Sequence, residues 1–209
     1  MRNFIANIYA VERTNERANT LNWEKHGNKM LLWHGTRAEN LVGILQTGFR
    51  IAPKEATRTG SMFGDGIYFA DVFSKSYNYT SATHSIHLNN RGFYGHSRHT
   101  ATKRKYPKRY MFLCEVMLGN QLKLVQPSPV TGLPNQEFQS VLGYGQTGPN
   151  PLHNVYLSNG SLVPLGELQH NKRPEWIQPT TQMTLNYNEY IVYDTTQLRI
   201  KYIIECRDL

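Results

Sequence analysis

Apolar residues gather along this chain in short runs that end at glycine or at polar residues, a pattern typical of β-strands. Residues 30–34 form an apolar run that leads into Gly35, which predicts a buried strand opening into a glycine turn. Residues 66–70, 110–118, 188–193 and 198–204 also read as strands, and β-branched and aromatic residues dominate the last two. Strands therefore make up most of the predicted regular structure.

Helical spacing is confined to two short segments. Apolar side chains recur three and four positions apart in residues 38–47, and Gly48 follows, which predicts an amphipathic helix with a glycine C-cap. These side chains are Leu41, Ile44 and Leu45. Residues 71–79 predict a helical turn with Asp71 or Ser74 as its N-cap.

Two further segments have a less regular pattern. Residues 4–17 fit a strand or a short helix equally. Residues 126–175 hold most of the prolines and many glycines, so we expect loops with short strands, such as one at 154–157. The whole pattern predicts an α+β fold around antiparallel sheets, and without an obvious linker or repeat we expect one domain over 1–209.

Composition narrows the classes of protein that the chain can belong to. Its 209 residues are 39% hydrophobic, which supports a packed core, and no apolar run approaches the length of a membrane span. The first residues do not resemble a secretory signal, so we expect a protein that is not secreted. Two cysteines, Cys114 and Cys206, exclude a disulfide framework and four-cysteine zinc modules, and they fit an intracellular, reducing compartment. The nucleus and the cytoplasm both remain open.

The net charge of +8 allows two interpretations of equal weight, attraction to polyanions or simple solubility. Basic residues concentrate in 98–109, within a histidine-rich stretch at 84–109 that predicts an exposed loop insertion. These basic residues are candidates for contact with nucleic acid or another polyanion, and they also fit a nuclear import signal. The histidines His84, His87, His96 and His99 form two His-x-x-His pairs. An all-histidine structural zinc site is unusual, so we favour a solvated loop and expect no metal.

Residues at predicted strand ends and turns include the groups that a site for cleaving a dinucleotide would need, although composition alone does not bring them together. Breaking a glycosidic C–N bond passes through an oxocarbenium-like state, which a carboxylate near the ribose stabilises. An aromatic face can hold a flat cationic ring, and glycine allows a close backbone approach. The chain offers such groups at His34, Gly35, Tyr68, Ser76, Tyr79 and Glu189. Taken singly, His34 also fits an ordinary core or surface residue, and Tyr68 and Tyr79 fit core aromatic residues. Glu189 alone also fits a solvent-facing strand position.

Four blocks of sequence resemble the catalytic domain of the poly(ADP-ribose) polymerases, most closely the DNA-damage-responsive branch. The blocks are LLWHGTR at 31–37, TGSMFGDGIYFAD at 59–71, SKS at 74–76 and YNEYIVYD at 187–194. They keep their order and spacing, and the resemblance covers roughly residues 30–209. It implies the ADP-ribosyltransferase fold, in which two antiparallel β-sheets and short helices surround an NAD cleft.

The resemblance also implies which residues act. The family's His-Tyr-Glu set falls on His34, Tyr68 and Glu189. Glu189 is expected to bind the 2′-hydroxyl of the nicotinamide ribose, stabilise the cation as nicotinamide leaves and orient the acceptor. Met62 and Tyr187 match positions on the acceptor side, which favours chain elongation. The expected partners are NAD, as substrate, and protein acceptors that include the chain itself.

The resemblance gives each NAD-binding residue a place. His34 is expected to hydrogen-bond the adenosine ribose, while the Gly35 backbone and the Ser76 hydroxyl hold the nicotinamide carboxamide. Tyr79 and Tyr68 are expected to pack on opposite sides of the nicotinamide ring. Lys75 falls at the nicotinamide pocket, and the adenosine end is formed by Thr36, Asn40, Gly43 and Arg50.

The chain departs from the family pattern at three positions. Thr36 stands where serine is usual and keeps the hydroxyl, whereas Ser61 stands where tyrosine is common. Asp65 replaces a basic residue and leaves the acceptor preference open. Because only about 30 residues precede the match, we expect no helical autoinhibitory domain and a cleft that is not gated in cis.

The sequence leaves two alternatives to a polymer-forming enzyme. One is a mono-ADP-ribosyltransferase acting on a protein or on nucleic-acid ends. The other is a catalytically silent module that binds ADP-ribose or nucleic acid, although a complete His34, Tyr68 and Glu189 set argues against it.

Overall fold

The structure, a computed structural model, describes residues 3–13, 23, 27–51, 61–80, 108–130, 133 and 137–208. Twelve strands lie within these residues: β1 Asn3–Ala10, β2 Lys29–Gly35, β3 Ile67–Phe69, β4 Lys108–Met117, β5 Gln121–Leu124, β6 Ser140–Gly143, β7 Thr147–Pro149, β8 Val155–Tyr156, β9 Leu162–Val163, β10 Leu168–His170, β11 Glu189–Val192 and β12 Leu198–Asp208. Two α-helices, α1 Ala38–Thr47 and α2 Phe73–Tyr77, and two 3₁₀ helices, Pro151–His153 and Thr195–Gln197, accompany them. The α+β prediction is confirmed.

Two larger sheets and one small sheet organise the strands. The first runs β1-β12-β4-β2-β9-β8, the second runs β3-β11-β6-β5, and β10 pairs with β7. Most neighbours are antiparallel, as predicted, but β2 with β9 and β5 with β6 are parallel. The ambiguous segment at 4–17 begins as a strand, which ends at Ala10.

Apolar side chains from both larger sheets form one core. Leu32 and Phe112 come from the first sheet, and Phe69, Tyr190 and Val192 come from the second. All five are buried. Helix α1 packs its partly buried Leu41, Ile44 and Leu45 on this core, which explains its amphipathic spacing.

The predicted glycine cap of α1 is confirmed. Gly48 has a φ of 84°, a conformation that side chains with a Cβ rarely adopt. Its N–H donates to the carbonyl of Ile44 at 2.8 Å and so closes the last turn. This cap directs the chain from α1 into the buried Phe49.

The predicted N-cap of α2 is wrong. The residue at the cap position is Val72, and no side chain caps the helix. The Asp71 carboxylate instead accepts hydrogen bonds from Asn188 and Tyr190 across the fold. The Asp71 side chain, which the local sequence predicts as a cap of α2, therefore makes tertiary hydrogen bonds instead.

The predicted loop at 84–109 lies mostly outside the described residues, and so do its four histidines. Its last two residues are not loop, because Lys108 and Arg109 begin β4. Lys108 Nζ lies 3.0 Å from Glu205 Oε1, and Arg109 Nη1 donates to the Thr80 carbonyl at 2.7 Å. These buried partners draw two basic residues into the sheet.

Glu205 is a buried carboxylate in β12 that keeps its charge. Burial alone would raise its pKa, but hydrogen bonds from Lys108, Asn7, Tyr9 and Arg207 lower the pKa to about 2.

In the described part of the chain, no helix is long and apolar enough to cross a bilayer.

Candidate active site

A single backbone bridge joins the two larger sheets beside the site. The N–H of Trp33 donates to the Ala70 carbonyl at 2.8 Å, and the N–H of Ala70 donates to the Trp33 carbonyl at 2.9 Å. The next residue of β2, His34, thereby reaches β3, where its Nδ1 lies 2.8 Å from the Tyr68 carbonyl. Two residues of the predicted His-Tyr-Glu set meet here, although 34 positions separate them.

Strand alternation adds the third residue of the set. In the antiparallel pair of β11 and β3, Ile191 lies opposite Tyr68, so their side chains share one face of the sheet. Glu189 precedes Ile191 by two positions and falls on that face as well. Tyr190 and Val192 alternate to the other face, where they enter the core.

His34, Tyr68 and Glu189 line a cavity of about 970 Å³, near the upper end of the range usual for ligand pockets. Its walls come from the end of β2, from α1, from residues 61–66, from β3, from α2 and from β11. All the residues predicted to bind NAD line it, namely His34, Gly35, Thr36, Asn40, Gly43, Arg50, Tyr68, Lys75, Ser76 and Tyr79, together with Glu189. Arg37, Glu39 and Phe49 also line it and were not predicted.

His34 is a neutral imidazole of defined tautomer. Its ring contacts Phe49 and Phe69, at centroid distances of 4.7 and 5.6 Å. Burial lowers its pKa from 6.5 to about 4, and the hydrogen bond to the Tyr68 backbone offsets only part of this effect. A carbonyl can only accept, so Nδ1 carries the proton and Nε2 keeps a lone pair. A lone pair at Nε2 suits a hydroxyl donor such as a ribose.

The lowered pKa of His34 predicts a loss of stability in mild acid. The unfolded chain takes up a proton near pH 6.5, whereas the folded histidine resists it down to about pH 4. As pH falls through this window, protonation therefore favours unfolding, by about 3 kcal/mol near its lower end. We expect urea unfolding to report this loss, and His34→Gln to lose less stability over the same interval.

A histidine outside the site provides the control. His170 is exposed, so His170→Gln should keep the wild-type dependence of unfolding free energy on pH. Equal pH dependence in His34→Gln and the wild type would contradict the assignment of a buried neutral imidazole to His34.

Glu189 is paired with a lysine at the back of the cavity. Its Oε1 lies 2.9 Å from Lys75 Nζ, and the two side chains are only 8% and 11% exposed. Lys75 Nζ also donates to the Asn188 carbonyl at 2.8 Å. Burial lowers the pKa of Lys75, and the charge of Glu189 acts in the opposite direction. The ion pair fixes the direction of the carboxylate, and no sequence pattern predicted this contact.

The hydroxyl of Tyr68 is used by the protein itself. It donates to the Gly64 carbonyl at 2.8 Å and accepts from the Phe63 N–H at 2.9 Å. Tyr193 donates to the Phe63 carbonyl at 2.6 Å and holds the same loop. Tyr68 therefore offers the cavity its ring, as expected, and its hydroxyl anchors the loop that contains Ser61.

Gly35, Ser76 and Tyr79 form a narrow end of the cavity. A Cβ added to Gly35 would lie 1.7 Å from the Ser76 carbonyl oxygen, so only glycine fits there. The Ser76 hydroxyl donates to the Trp33 carbonyl at 3.0 Å and keeps lone pairs for a donor such as an amide. Tyr79 is half-exposed, and burial raises its pKa, with a further contribution from the charge of Glu189.

The opposite end of the cavity lies along α1. Asn40 Nδ2 donates to Thr36 Oγ1 at 3.1 Å, which joins two of the predicted adenosine-side residues. Among the described residues, and apart from the nearby backbone of α1 itself, no atom lies within 4 Å of the position where a Cβ of Gly43 would stand. Arg50 is exposed at the same end.

The two predicted acceptor-side residues do not line the cavity. Met62 is partly buried and packs with Phe63 and Ile191 on the second core cluster. Tyr187 forms a backbone bridge to Thr147, two residues before Glu189. Their acceptor roles stay predictions. In the described ranges, no three His, Cys, Asp or Glu side chains gather as a metal ion would need.

The chain is similar to known proteins over almost its whole length. A family model described as "Poly(ADP-ribose) polymerase catalytic domain" matches residues 1–208. The chain is 40% identical over 201 residues to "Poly [ADP-ribose] polymerase 2" of Homo sapiens, covering 96% of this chain and 30% of that protein. It is 38% identical over 203 residues to "Poly [ADP-ribose] polymerase 1" of Danio rerio, covering 97% of this chain and 17% of that protein. This chain therefore spans less than a third of the length of either relative.

Proposed function

Because the chain belongs to the poly(ADP-ribose) polymerase catalytic-domain family, we propose that it transfers ADP-ribose from NAD to acceptor groups and releases nicotinamide. The strand-dominated α+β architecture agrees with the ADP-ribosyltransferase fold of that family. The observation that carries the proposal is the placement of Glu189, His34 and Tyr68 in one cavity large enough for a dinucleotide.

The proposed chemistry begins with binding at the two ends of the cavity. The Gly35 backbone and Ser76 hold the carboxamide of nicotinamide, and Tyr79 and Tyr68 pack on its ring. Neutral His34 accepts a hydrogen bond from the adenosine ribose through Nε2. This orientation places the ribose of nicotinamide near Glu189, the acidic residue that the cavity exposes next to Ser76 and Tyr79.

The bond-breaking step then depends on Glu189. As the C–N bond breaks, its electron pair leaves with nicotinamide and positive charge develops on the ribose. The Glu189 carboxylate stabilises that charge and accepts a hydrogen bond from a ribose hydroxyl. Lys75 supports this role because its ion pair with Glu189 keeps the carboxylate directed into the cavity.

The acceptor side supports polymer formation as part of the proposal. Relatives that the chain resembles carry polymerase in their names. The family resemblance also implies acceptor-side positions for Met62 and Tyr187. We therefore propose that acceptors include proteins, the chain itself and the end of a growing ADP-ribose chain. Transfer of a single ADP-ribose unit, to protein or to nucleic-acid ends, is the alternative that the product distinguishes.

Two finer features belong to the same proposal. The basic residues of 98–109 are proposed to contact nucleic acid or poly(ADP-ribose), on the strength of the +8 net charge. An intracellular site of action is supported by Cys114 and Cys206, which are both free and buried. A single domain over 1–209 stays a prediction.

A labelling assay tests the proposed function. We expect the purified chain, given NAD labelled on the adenosine side, to release nicotinamide and to become labelled itself. A high-mass smear identifies polymer, and a single added mass of ADP-ribose identifies single transfer. Saturable NAD binding without nicotinamide release would contradict the proposal and would favour a binding module.

A further inference from the structure

A buried polar network of Asp71, Asn188 and Tyr190 lies next to the Lys75–Glu189 pair. None of these three residues was assigned to the site from the sequence. Asp71 follows β3 and is only 5% exposed. Its Oδ2 accepts from Asn188 Nδ2 at 2.7 Å and from the Tyr190 hydroxyl at 3.1 Å. Burying a carboxylate without a full counter-charge costs stability. The buried position of Asp71 therefore suggests that this carboxylate has a function.

Asn188 is held at both ends of its side-chain amide. While Nδ2 donates to Asp71, Oδ1 accepts from the Gly145 N–H at 3.0 Å and from Asn171 Nδ2 at 3.2 Å. An amide fixed by a donor and two acceptor contacts cannot rotate, so the backbone of residue 188 is fixed as well. That backbone is the last one before Glu189.

The fixed backbone in turn holds the reactive pair. The Asn188 carbonyl accepts from Lys75 Nζ at 2.8 Å, and the same ammonium lies 2.9 Å from Glu189 Oε1. Lys75 therefore has one neutral and one charged partner, both supplied by consecutive residues. Displacing Asn188 would move the lysine and the glutamate together.

We propose that Asp71 and Asn188 are positioning residues for the transfer reaction: Asp71 anchors the Asn188 side chain, whose backbone carbonyl sets the position of Lys75 and hence of the Glu189 carboxylate. This inference rests on the proposed function. Neither Asp71 nor Asn188 lines the cavity, so neither touches the substrate, and both act through Lys75 and Glu189.

The charges around Lys75 agree with this arrangement. Burial lowers the pKa of Lys75, and the nearby carboxylates of Glu189 and Asp71 both oppose that change. Burial raises the pKa of Asp71, and the hydrogen bonds from Asn188 and Tyr190, with the charge of Lys75, act against it. Two carboxylates thus help one ammonium group to stay charged beneath the cavity.

A reciprocal exchange of the two side chains tests the proposal. Asn188→Asp sets one carboxylate against another, and Asp71→Asn removes the anchoring charge. We expect each single variant to lower kcat for nicotinamide release by about 10- to 100-fold, with a smaller change, of no more than about tenfold, in the KM for NAD. The double variant remakes the hydrogen bond in the opposite direction and should recover most of the lost kcat.

A second measurement reports the position of Lys75 without turnover. The Lys75 ammonium has two hydrogen-bonding partners, so in ¹H–¹⁵N spectra it should give a signal that is protected from exchange with water. The signal is assigned by its absence from the spectrum of Lys75→Arg. We expect this signal in the wild type and the double variant and its loss from both single variants. If the wild type does not turn over NAD, the proposed function fails, but this signal still decides the positioning role.

A buried hydroxyl in the same sheet supplies the matched control. Ser140 donates to the Leu118 carbonyl at 2.7 Å, so Ser140→Ala also removes a buried hydrogen bond but leaves the network intact. It should lower the melting temperature without changing kcat or the Lys75 signal. Single variants with wild-type kcat, or a double variant as slow as either single, would overturn the proposal.

Discussion

Replacing Glu189 by glutamine is expected to lower the rate of ADP-ribose transfer by about 100- to 1,000-fold and to abolish chain elongation. The substitution keeps the size of the side chain and its oxygen acceptor but removes the negative charge. Charge is what a cationic ribose requires as nicotinamide leaves, so the loss falls on the chemical step. Rates of nicotinamide release and the length of the product measure the two effects.

NAD binding should survive the same substitution in part. The glutamine carbonyl can still accept from a ribose hydroxyl and from Lys75 Nζ, which lies 2.9 Å from the present carboxylate. We therefore expect the dissociation constant for NAD to rise by no more than about tenfold, the effect of weakening one charged hydrogen bond. A binding titration separates this change from the larger change in kcat.

Glu115→Gln is the control for Glu189→Gln. Glu115 is another buried carboxylate, paired with Arg199, and it does not line the cavity. Both substitutions leave a cation without its negatively charged partner and should reduce the free energy of unfolding. Glu115→Gln should nevertheless retain wild-type kcat. Normal polymer from Glu189→Gln, or an equal loss of kcat in both variants, would show that Glu189 does not have the assigned role.

The sequence predicted the core strands β2, β3, β4, β11 and β12 because their apolar side chains are buried, but it did not predict β5. The alternation in β11 sends Tyr190 and Val192 to the core, and the long apolar run in β4 is buried in the first sheet. Lys108 and Arg109 were misassigned to the preceding loop, since their partners Glu205 and Thr80 are distant in sequence. A local reading of the sequence places basic side chains in solvent. The acceptors that hold Lys108 and Arg109 in the sheet are brought close only when the chain folds.

The family resemblance predicted the NAD-binding residues that line the cavity, but the contacts behind the cavity were not predicted. The bond from Lys75 Nζ to the Asn188 carbonyl crosses 113 positions, and the bond from Asn188 to Asp71 crosses 117. No local pattern encodes such pairs. Asp71 was assigned a helix-capping role for that reason, whereas its carboxylate lies in the protein interior.

The second large effect is expected for Gly35→Ala, which should raise the KM for NAD by at least about tenfold. The new Cβ would stand 1.7 Å from the Ser76 carbonyl oxygen and 3.3 Å from the Cβ of Tyr79. Because the nearest obstacle is backbone, no side-chain rotation can relieve it, and β2 and α2 must separate. That movement widens the end of the cavity where Ser76 and Tyr79 are proposed to hold nicotinamide.

Overpacking also costs stability, about 1 to 3 kcal/mol in a well-packed region, so a control must separate folding from binding. Gly166→Ala serves, because its Cβ would lie 2.2 Å from the Asn150 carbonyl oxygen, and Gly166 does not line the cavity. Both variants should melt at a lower temperature than wild type, and only Gly35→Ala should lose affinity for NAD. A Gly35→Ala protein with the wild-type KM would mean that NAD does not depend on the contact between β2 and α2, and the nicotinamide end of the cavity would have to be assigned elsewhere.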